Sequence, residues 1–299
     1  MPVSSNFSIG RCNTFADQTK ITIMNAKILV LGGTGKTGKR VAERLWDQGL
    51  NFRIGSRVGT PAFDWNQPST WAQVLDRIEK IYITFQPDLA VPGAVEIIRS
   101  FVDVTITAGV KKLVLLSGRG EKESQVCEKI VMDSGLDWTI VRASWFMQNF
   151  SEGFMLDSIL SGSVVLPKLK ASAPFVDADD IADVVVDVLM KNKHSRQIYD
   201  LTGPRLLSFQ ETVSIISKAV NRSISFEEAS MEEYMALLNS YQVPADVIWL
   251  ISYLFTEVLV PLNEVITDDV EMILGRKAGS FEEYIAKTEK TGVWDLVHA

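Results

Sequence analysis

The sequence predicts an α/β protein: a Rossmann-type doubly wound parallel sheet with a smaller, largely helical C-terminal region. Three observations predict it. Short apolar runs alternate with helix-patterned segments through the first half of the chain, the pattern of a parallel sheet covered on both faces. Glycine recurs where a helix gives way to an apolar run: Gly49 before Phe52–Ile54, Gly109 before Leu113–Leu116, Gly135 before Trp138–Val141. Such glycines suit the left-handed C-cap of a helix. A glycine-rich turn, Gly32-Gly33-Thr34-Gly35-Lys36-Thr37-Gly38, joins the first run to the first helix.

The first run, Ile28-Leu-Val-Leu31, reads as a strand buried on both faces. After the turn comes a helix with Val41, Ala42 and Leu45 on one side. Gly33-x-Gly35-x-x-Gly38 fits the dinucleotide fingerprint, and Gly32-x-x-Gly35-x-x-Gly38 fits a variant of it equally well. A turn of this kind lets the backbone approach a diphosphate and aims the free N–H groups of the helix at it. Gly33 to Lys39 also has P-loop spacing, but Arg40 stands where the magnesium-holding hydroxyl is required. A tight turn without a ligand is the other alternative.

The second run, Asn51 to Arg57, decides which nucleotide the turn suits. An NAD site places an acid at the end of this strand to bond the ribose 2′-hydroxyl. Here no acid occurs before Asp64. Ser56 and Arg57 instead suit a 2′-phosphate, with Arg53 adding charge. NADP(H) is therefore preferred, NAD(H) is the lesser alternative, and a solvated surface arginine is the reading without function. A further strand is expected over Ile81–Phe85. Ligands of such sheets bind beyond the carboxyl ends of the strands. Five segments should therefore meet in one cleft: Gly32–Gly38, Ser56-Arg57, Thr84-Phe85-Gln86, Ser117-Gly118-Arg119 and Arg142 to Phe146.

The second half is less regular. Ser208/Glu211, Ser230/Glu233 and Ser280/Glu283 have capping-box spacing and announce three helices. Val247 to Val260 is almost wholly apolar yet too short to span a bilayer. It reads as a buried core helix, with closure over a substrate or a partner subunit as the alternative. Asp177, Asp179, Asp180 and Asp183 precede and open an apolar helix and read as first-turn acids, not as a metal cluster. We expect no metal. Residues 1–23 read as a disordered extension, 24–150 as the nucleotide-binding core, and 151–299 as the remaining sheet elements interleaved with a further region.

With 299 residues, 46% of them hydrophobic, the chain is long enough for one large core with an appendage. A net charge of −7 and the lack of a Lys/Arg cluster argue against nucleic acid as partner. Cys12 and Cys127 stand far apart, which excludes a disulfide framework and fits a cytoplasmic protein. The isolated His194 and His298 exclude a zinc site or a serine–histidine triad. The expected partner is a small-molecule substrate, with neither membrane nor nucleic acid, and the expected state is a monomer or homodimer.

Several segments resemble the NmrA-like atypical short-chain dehydrogenases: the glycine turn, Phe63-Asp-Trp65, Gly109 to Ser117, Ser134 to Arg142, Trp145-Phe-Met-Gln-Asn-Phe150, Pro174 to Asp183 and Leu201-Thr-Gly-Pro204. The resemblance is nearest to the branch of the ergot-alkaloid clavine dehydrogenases and their bacterial relatives, and it covers roughly residues 27–294. It implies an NAD(P)(H)-binding domain and a C-terminal substrate-binding region. It places Gly33 to Gly38 on the diphosphate, Arg57 on the 2′-phosphate, Thr84-Phe85-Gln86 on the ribose side and Ser144-Trp145-Phe146 near the nicotinamide. The family includes quinone, dye and imine reductases, and NmrA-type regulators that bind the cofactor without turnover. Many members have Arg-Pro where this chain has Arg142-Ala143.

Standard short-chain dehydrogenases protonate a carbonyl oxygen with Tyr-x-x-x-Lys. None of the six tyrosines here has lysine four residues on, and the family offset puts Gly120 and Ser124 at those positions. Reduction of an unactivated ketone needs a placed acid or oxyanion donor. Iminium ions, quinones, cationic dyes and azo groups need less help, and proximity does most of the work. The expected activity is therefore reduction of a conjugated or activated electrophile, with a redox-sensing regulator as the alternative. Trp145, Phe146 and Phe85 offer stacking surfaces. Ser117 is the candidate catalytic residue, as a group that polarises a substrate atom, with a plain turn cap as the other reading. Glu121, Lys122 and Glu123 follow on a loop and are the only nearby charged candidates for proton relay, with a solvated loop as the preferred reading.

Overall fold

The computed structural model describes residues 26–296. The expected extension over 1–23, Cys12 and His298 lie outside them. Six parallel strands form one sheet: β1 (Ile28–Leu31), β2 (Phe52–Gly55), β3 (Lys80–Ile83), β4 (Lys112–Gly118), β5 (Asp137–Ala143) and β7 (Gln197–Leu201). Their order is β2-β1-β3-β4-β5-β7, so the strand order reverses between β1 and β3. Chain segments leave that point in opposite directions and open a crevice at the carboxyl ends.

Strand alternation sends Val30, Tyr82, Val114 and Val141 to one face, against α1 (Lys36–Asp47) and α4 (Ala178–Met190). Leu29, Ile81, Leu113 and Ile140 go to the other. There they meet α2 (Ala94–Thr107), α3 (Lys122–Met132) and the rings of Phe63, Trp65, Trp71 and Phe101. The Phe63-Asp-Trp65 segment is thus a packing element beneath the end of β3. Arg53 also lies on that side. It is buried and donates to the Val74 carbonyl at 2.7 Å, so it does not add charge beyond β2 as the sequence reading expected.

A third core lies beyond the strand ends. A second, two-stranded sheet of β6 (Ser163–Pro167) and β8 (Ser225–Ala229) packs there with α5 (Phe209–Ala219), α6 (Met231–Ser240) and α9 (Phe281–Glu289). All three Ser/Glu pairs make the expected capping boxes, on α5, α6 and α9. Asp177 caps α4 by accepting from the Asp179 N–H. Asp179, Asp180 and Asp183 pair with Arg40, Arg44, Arg276 and Lys287, which staples α1 to α4. His194 is buried between Tyr199 and Asp187. No helix of the described residues is long and apolar enough to cross a membrane.

The reading of Val247–Val260 as a core helix needs correction. The segment forms α7 (Ala245–Tyr253) and a wider helical turn over Leu254–Val258, and only four of the residues 247–260 are buried. Ile251, Phe255 and Leu259 join the third core, while Leu250, Leu254 and Val258 form a wall of the crevice.

Candidate active site

The cofactor side of the crevice is made of backbone. Gly32 has φ +63°, and a Cβ there would stand 2.1 Å from Thr84 Oγ1. Gly38, in the first turn of α1, lies so close to the preceding turn that a Cβ would meet the Gly32 carbonyl oxygen at 2.2 Å. Gly35 is the extended N-cap of α1 and no side chain caps the helix. The N–H groups of the first turn, which have no intrahelical partners, are thus left to a ligand at the positive end of the helix. Thr84 donates to the Leu31 carbonyl at 3.0 Å, tying the ends of β1 and β3 together. The Tyr82 hydroxyl donates to Thr37 Oγ1 at 3.0 Å and holds the helix start from below.

Side chains surround this cradle. Lys36 Nζ donates to Asn149 Oδ1 at 2.9 Å, and burial holds its pKa below the usual lysine value. Arg40, the residue that excludes a P-loop, donates to the Lys36 carbonyl and pairs with Glu152. Arg57 is exposed just beyond β2 and makes no hydrogen bond or ion pair with the described residues. The Ser56 carbonyl accepts from the Gly59 and Phe63 N–H groups, which turns the chain there.

The crevice as a whole, glycine turn included, has a volume of about 520 Å³ and is mostly apolar, within the range of ligand-binding clefts. Of the residues singled out in the sequence, Gly32, Gly35, Lys36, Thr37, Thr84, Phe85, Gln86, Ser117, Ser144, Trp145 and Phe146 line it. Gly33 and Gly38 are buried within the turn, Thr34 is exposed, and Ser56 and Arg57 lie past the β2 edge. Trp145 is held edge-on by Phe154, Phe209 and Phe255. Leu250, Ile251, Leu254 and Val258 face it from α7 and the turn after it.

Ser117 is buried, and its hydroxyl donates to Glu128 Oε1 at 2.6 Å. Glu128 in turn accepts two hydrogen bonds from Arg142 on the neighbouring strand. The Ser117 proton is therefore committed to a fixed ion pair.

Sequence reasoning missed Asp88 and preferred the wrong setting for Glu121. Glu121 does not sit in a solvated loop: it is 5% exposed, opens α3 as its N-cap and lines the crevice together with Asp88. Its carboxyl lies on the Cα of Gly118, where a Cβ would meet Glu121 Oε1 at 1.9 Å. Ser124 Oγ donates to Glu121 Oε2 at 2.5 Å. Burial, with the facing Asp88, pushes the Glu121 pKa well above the usual carboxyl value, and burial raises that of Asp88. The Gly118-x-Gly120 spacing that admits this carboxyl, and Ser124 three residues after it, were visible in the sequence. Lys122 remains exposed, and Glu123 accepts from the Tyr253 hydroxyl of α7.

No family model matches the chain. Among curated proteins it is 30% identical over 288 residues to the festuclavine dehydrogenase of Aspergillus fumigatus, covering 88% of this chain and 97% of the relative. It is 28% identical to the prestalk A differentiation protein A of Dictyostelium discoideum, covering 91% of this chain and 95% of that protein. It is also 28% identical to the NAD(P)H azoreductase of Xenophilus azovorans, covering 86% and 96%. Among solved structures, the Citrobacter triphenylmethane reductase complexed with NADP(H) has the same fold, with a TM-score of 0.69 and 19% identity over 87% of this chain and 99% of that one.

Proposed function

The chain belongs to the clavine-dehydrogenase-like branch of the NmrA-like atypical short-chain dehydrogenases, and we propose that it is an NADPH-dependent reductase of a small conjugated or activated electrophile. Imines and iminium ions, quinones and dyes are the acceptors that fit. One observation carries this reading: the uncapped glycine turn and an apolar, aromatic-lined space share a single crevice. An apolar wall beside the turn that side chains do not fill favours turnover over a regulator that only binds NADP(H).

The donor set fits the dinucleotide. The backbone from Gly32 to Gly38, with Lys36 and Thr37, would hold the diphosphate, and Arg57 with Ser56 the 2′-phosphate. Thr84, Phe85 and Gln86 would flank the ribose, and Ser144, Trp145 and Phe146 the nicotinamide. When bound, NADPH supplies a hydride at C4. The protein's part is to hold an acceptor flat against Trp145 and the α7 wall, and to keep water out. Ser117, with its hydroxyl donating to Glu128, presents oxygen lone pairs to the acceptor rather than a donor. The relatives support this chemistry: one is named an NAD(P)H azoreductase, another a festuclavine dehydrogenase.

The test is NADPH oxidation against a panel of cyclic imines, quinones and dyes. Turnover with at least one class is expected, with NADPH preferred to NADH. Tight NADPH binding without turnover of any acceptor would overturn the reductase reading.

A further inference from the structure

The reductase reading leaves a chemical gap. An azo or quinone acceptor that has taken a hydride carries negative charge on nitrogen or oxygen and needs a proton, yet the chain has no Tyr-x-x-x-Lys and the Ser117 hydroxyl is engaged in donating a hydrogen bond to Glu128. We propose that Asp88 and Glu121 fill that gap as a proton-sharing carboxyl pair that delivers the proton to the reduced acceptor.

Three structural facts place the pair for this work. Both residues line the same crevice as Trp145, and the Glu121 carboxyl rests on Gly118 at the carboxyl end of β4. Glu121 is buried and Asp88 half-buried, and neither makes an ion pair with a cation among the described residues. Burial without a cation disfavours two ionised carboxylates, and the Asp88 charge raises the pKa of Glu121 further, so one proton is kept between them. The other groups around them do not remove the need for it. Ser124 Oγ and the Ala90 N–H donate to single oxygens, at 2.5 and 2.8 Å. Glu123, held by Tyr253, adds a like charge near Glu121, and Cys127, near Asp88, is kept as a neutral thiol by burial, its pKa pushed up to about 12. The one negative charge the pair retains lies at the N-terminus of α3, where the helix favours an anion.

The step balances. The acceptor gains the hydride with its electron pair, the carboxyl O–H bond breaks, and an N–H or O–H bond forms on the acceptor. The pair is left with two negative charges and recovers a proton from water through Asp88, which is half-buried and follows the exposed Gln86-Pro87. A cationic acceptor behaves differently, because the hydride neutralises it and no proton is required.

This difference supplies the test, which rests on the reductase reading and can fail separately from it. Wild type, Glu121→Gln and Asp88→Asn are assayed with NADPH against an uncharged azobenzene and a cationic triphenylmethane dye. In both variants we expect the azobenzene rate to fall about 100-fold, within the range typical of a general acid, and the dye rate to fall at least about tenfold less than that. The wild-type azobenzene rate should fall at alkaline pH as the pair loses its proton, and Glu121→Gln should lack that limb. Unchanged azobenzene rates in the variants, or equal losses with both acceptors, would overturn the carboxyl pair while leaving the reductase intact. No turnover by wild type of any acceptor, these two or the imines and quinones of the wider panel, would overturn the reductase reading and the pair with it.

A second readout needs no cofactor. The infrared spectrum of the apoprotein at pH 7 should show a protonated-carboxyl stretch that titrates away on raising the pH and is missing in Glu121→Gln. Its absence from wild type would also overturn the proposal.

Discussion

The two sides of the crevice are built by different means. The side proposed for the diphosphate comes from one continuous stretch, and its decisive groups are backbone: a left-handed Gly32, an extended Gly35 and a Gly38 without room for a Cβ. The acceptor side is assembled from side chains near residues 85–89, 117–121, 144–154 and 247–263. A local backbone device tolerates almost no change at its glycines and is indifferent to changes elsewhere. A wall of distributed side chains should yield by degrees, each contact contributing a little. Substitutions on the two sides should therefore differ in both size and kind.

The largest effect should come from Gly38→Ala. A single methyl would press on Gly32 carbonyl oxygen, Gly32 carbon and Gly33 Cα at 2.2, 2.6 and 2.9 Å, all backbone atoms that cannot swing aside. The turn must open, and the aimed N–H groups are lost together. We expect NADPH affinity to fall by more than about 100-fold, roughly 3 kcal/mol, the worth of two or more hydrogen bonds to a charged group. Nicotinamide fluorescence titration would measure it, and a loss below about fivefold would show that the turn is not the diphosphate site.

Arg57→Ala comes next and separates charge recognition from the cradle. Removing a guanidinium that faces a phosphate should weaken NADPH by about 10- to 100-fold while leaving NADH unchanged. Equal NADPH affinity in wild type and variant would remove the 2′-phosphate assignment.

This contrast also explains what could be read from the sequence. The turn and the three capping boxes are local patterns, and each is where its residues predicted it. Arg53 misled because the sequence shows its charge but not its neighbours, the backbone carbonyls of Val74 and Asp76. Glu121 misled for the opposite reason: a charged residue between Gly120 and Lys122 suggests solvent, yet Gly118 makes room for its carboxyl and Asp88, more than thirty residues earlier, gives it a partner. Val247–Val260 was apolar enough for a core but is covered on one side only.

On the acceptor side the expected losses are smaller. Leu254→Ala removes one half-buried side chain from the wall. At about 25 cal/mol per Å² the lost contact is worth about 1–1.5 kcal/mol. The KM of an apolar acceptor should rise about tenfold, with kcat and the NADPH dissociation constant nearly unchanged. A matching loss of NADPH affinity would mean that the two sides are one site, not two.

The smallest effect tests whether the sides are mechanically joined. Ser280→Ala removes the cap of α9, which packs in the third core far from the glycine turn. It should cost about 1 kcal/mol and lower the melting temperature by about 2–4 °C in a chain of this size. The path from α9 to α1 is continuous. Tyr284 donates to Ser151 Oγ at 2.6 Å, Trp294 donates to the Phe150 carbonyl at 2.9 Å, and Asn149 and Glu152 of the same segment hold Lys36, Lys39 and Arg40. One calorimetric transition is therefore expected, shifted downward as a whole by Ser280→Ala and raised as a whole by NADPH. A split transition, with NADPH raising only one part, would show that the 149–152 segment does not couple the acceptor side to the cofactor side.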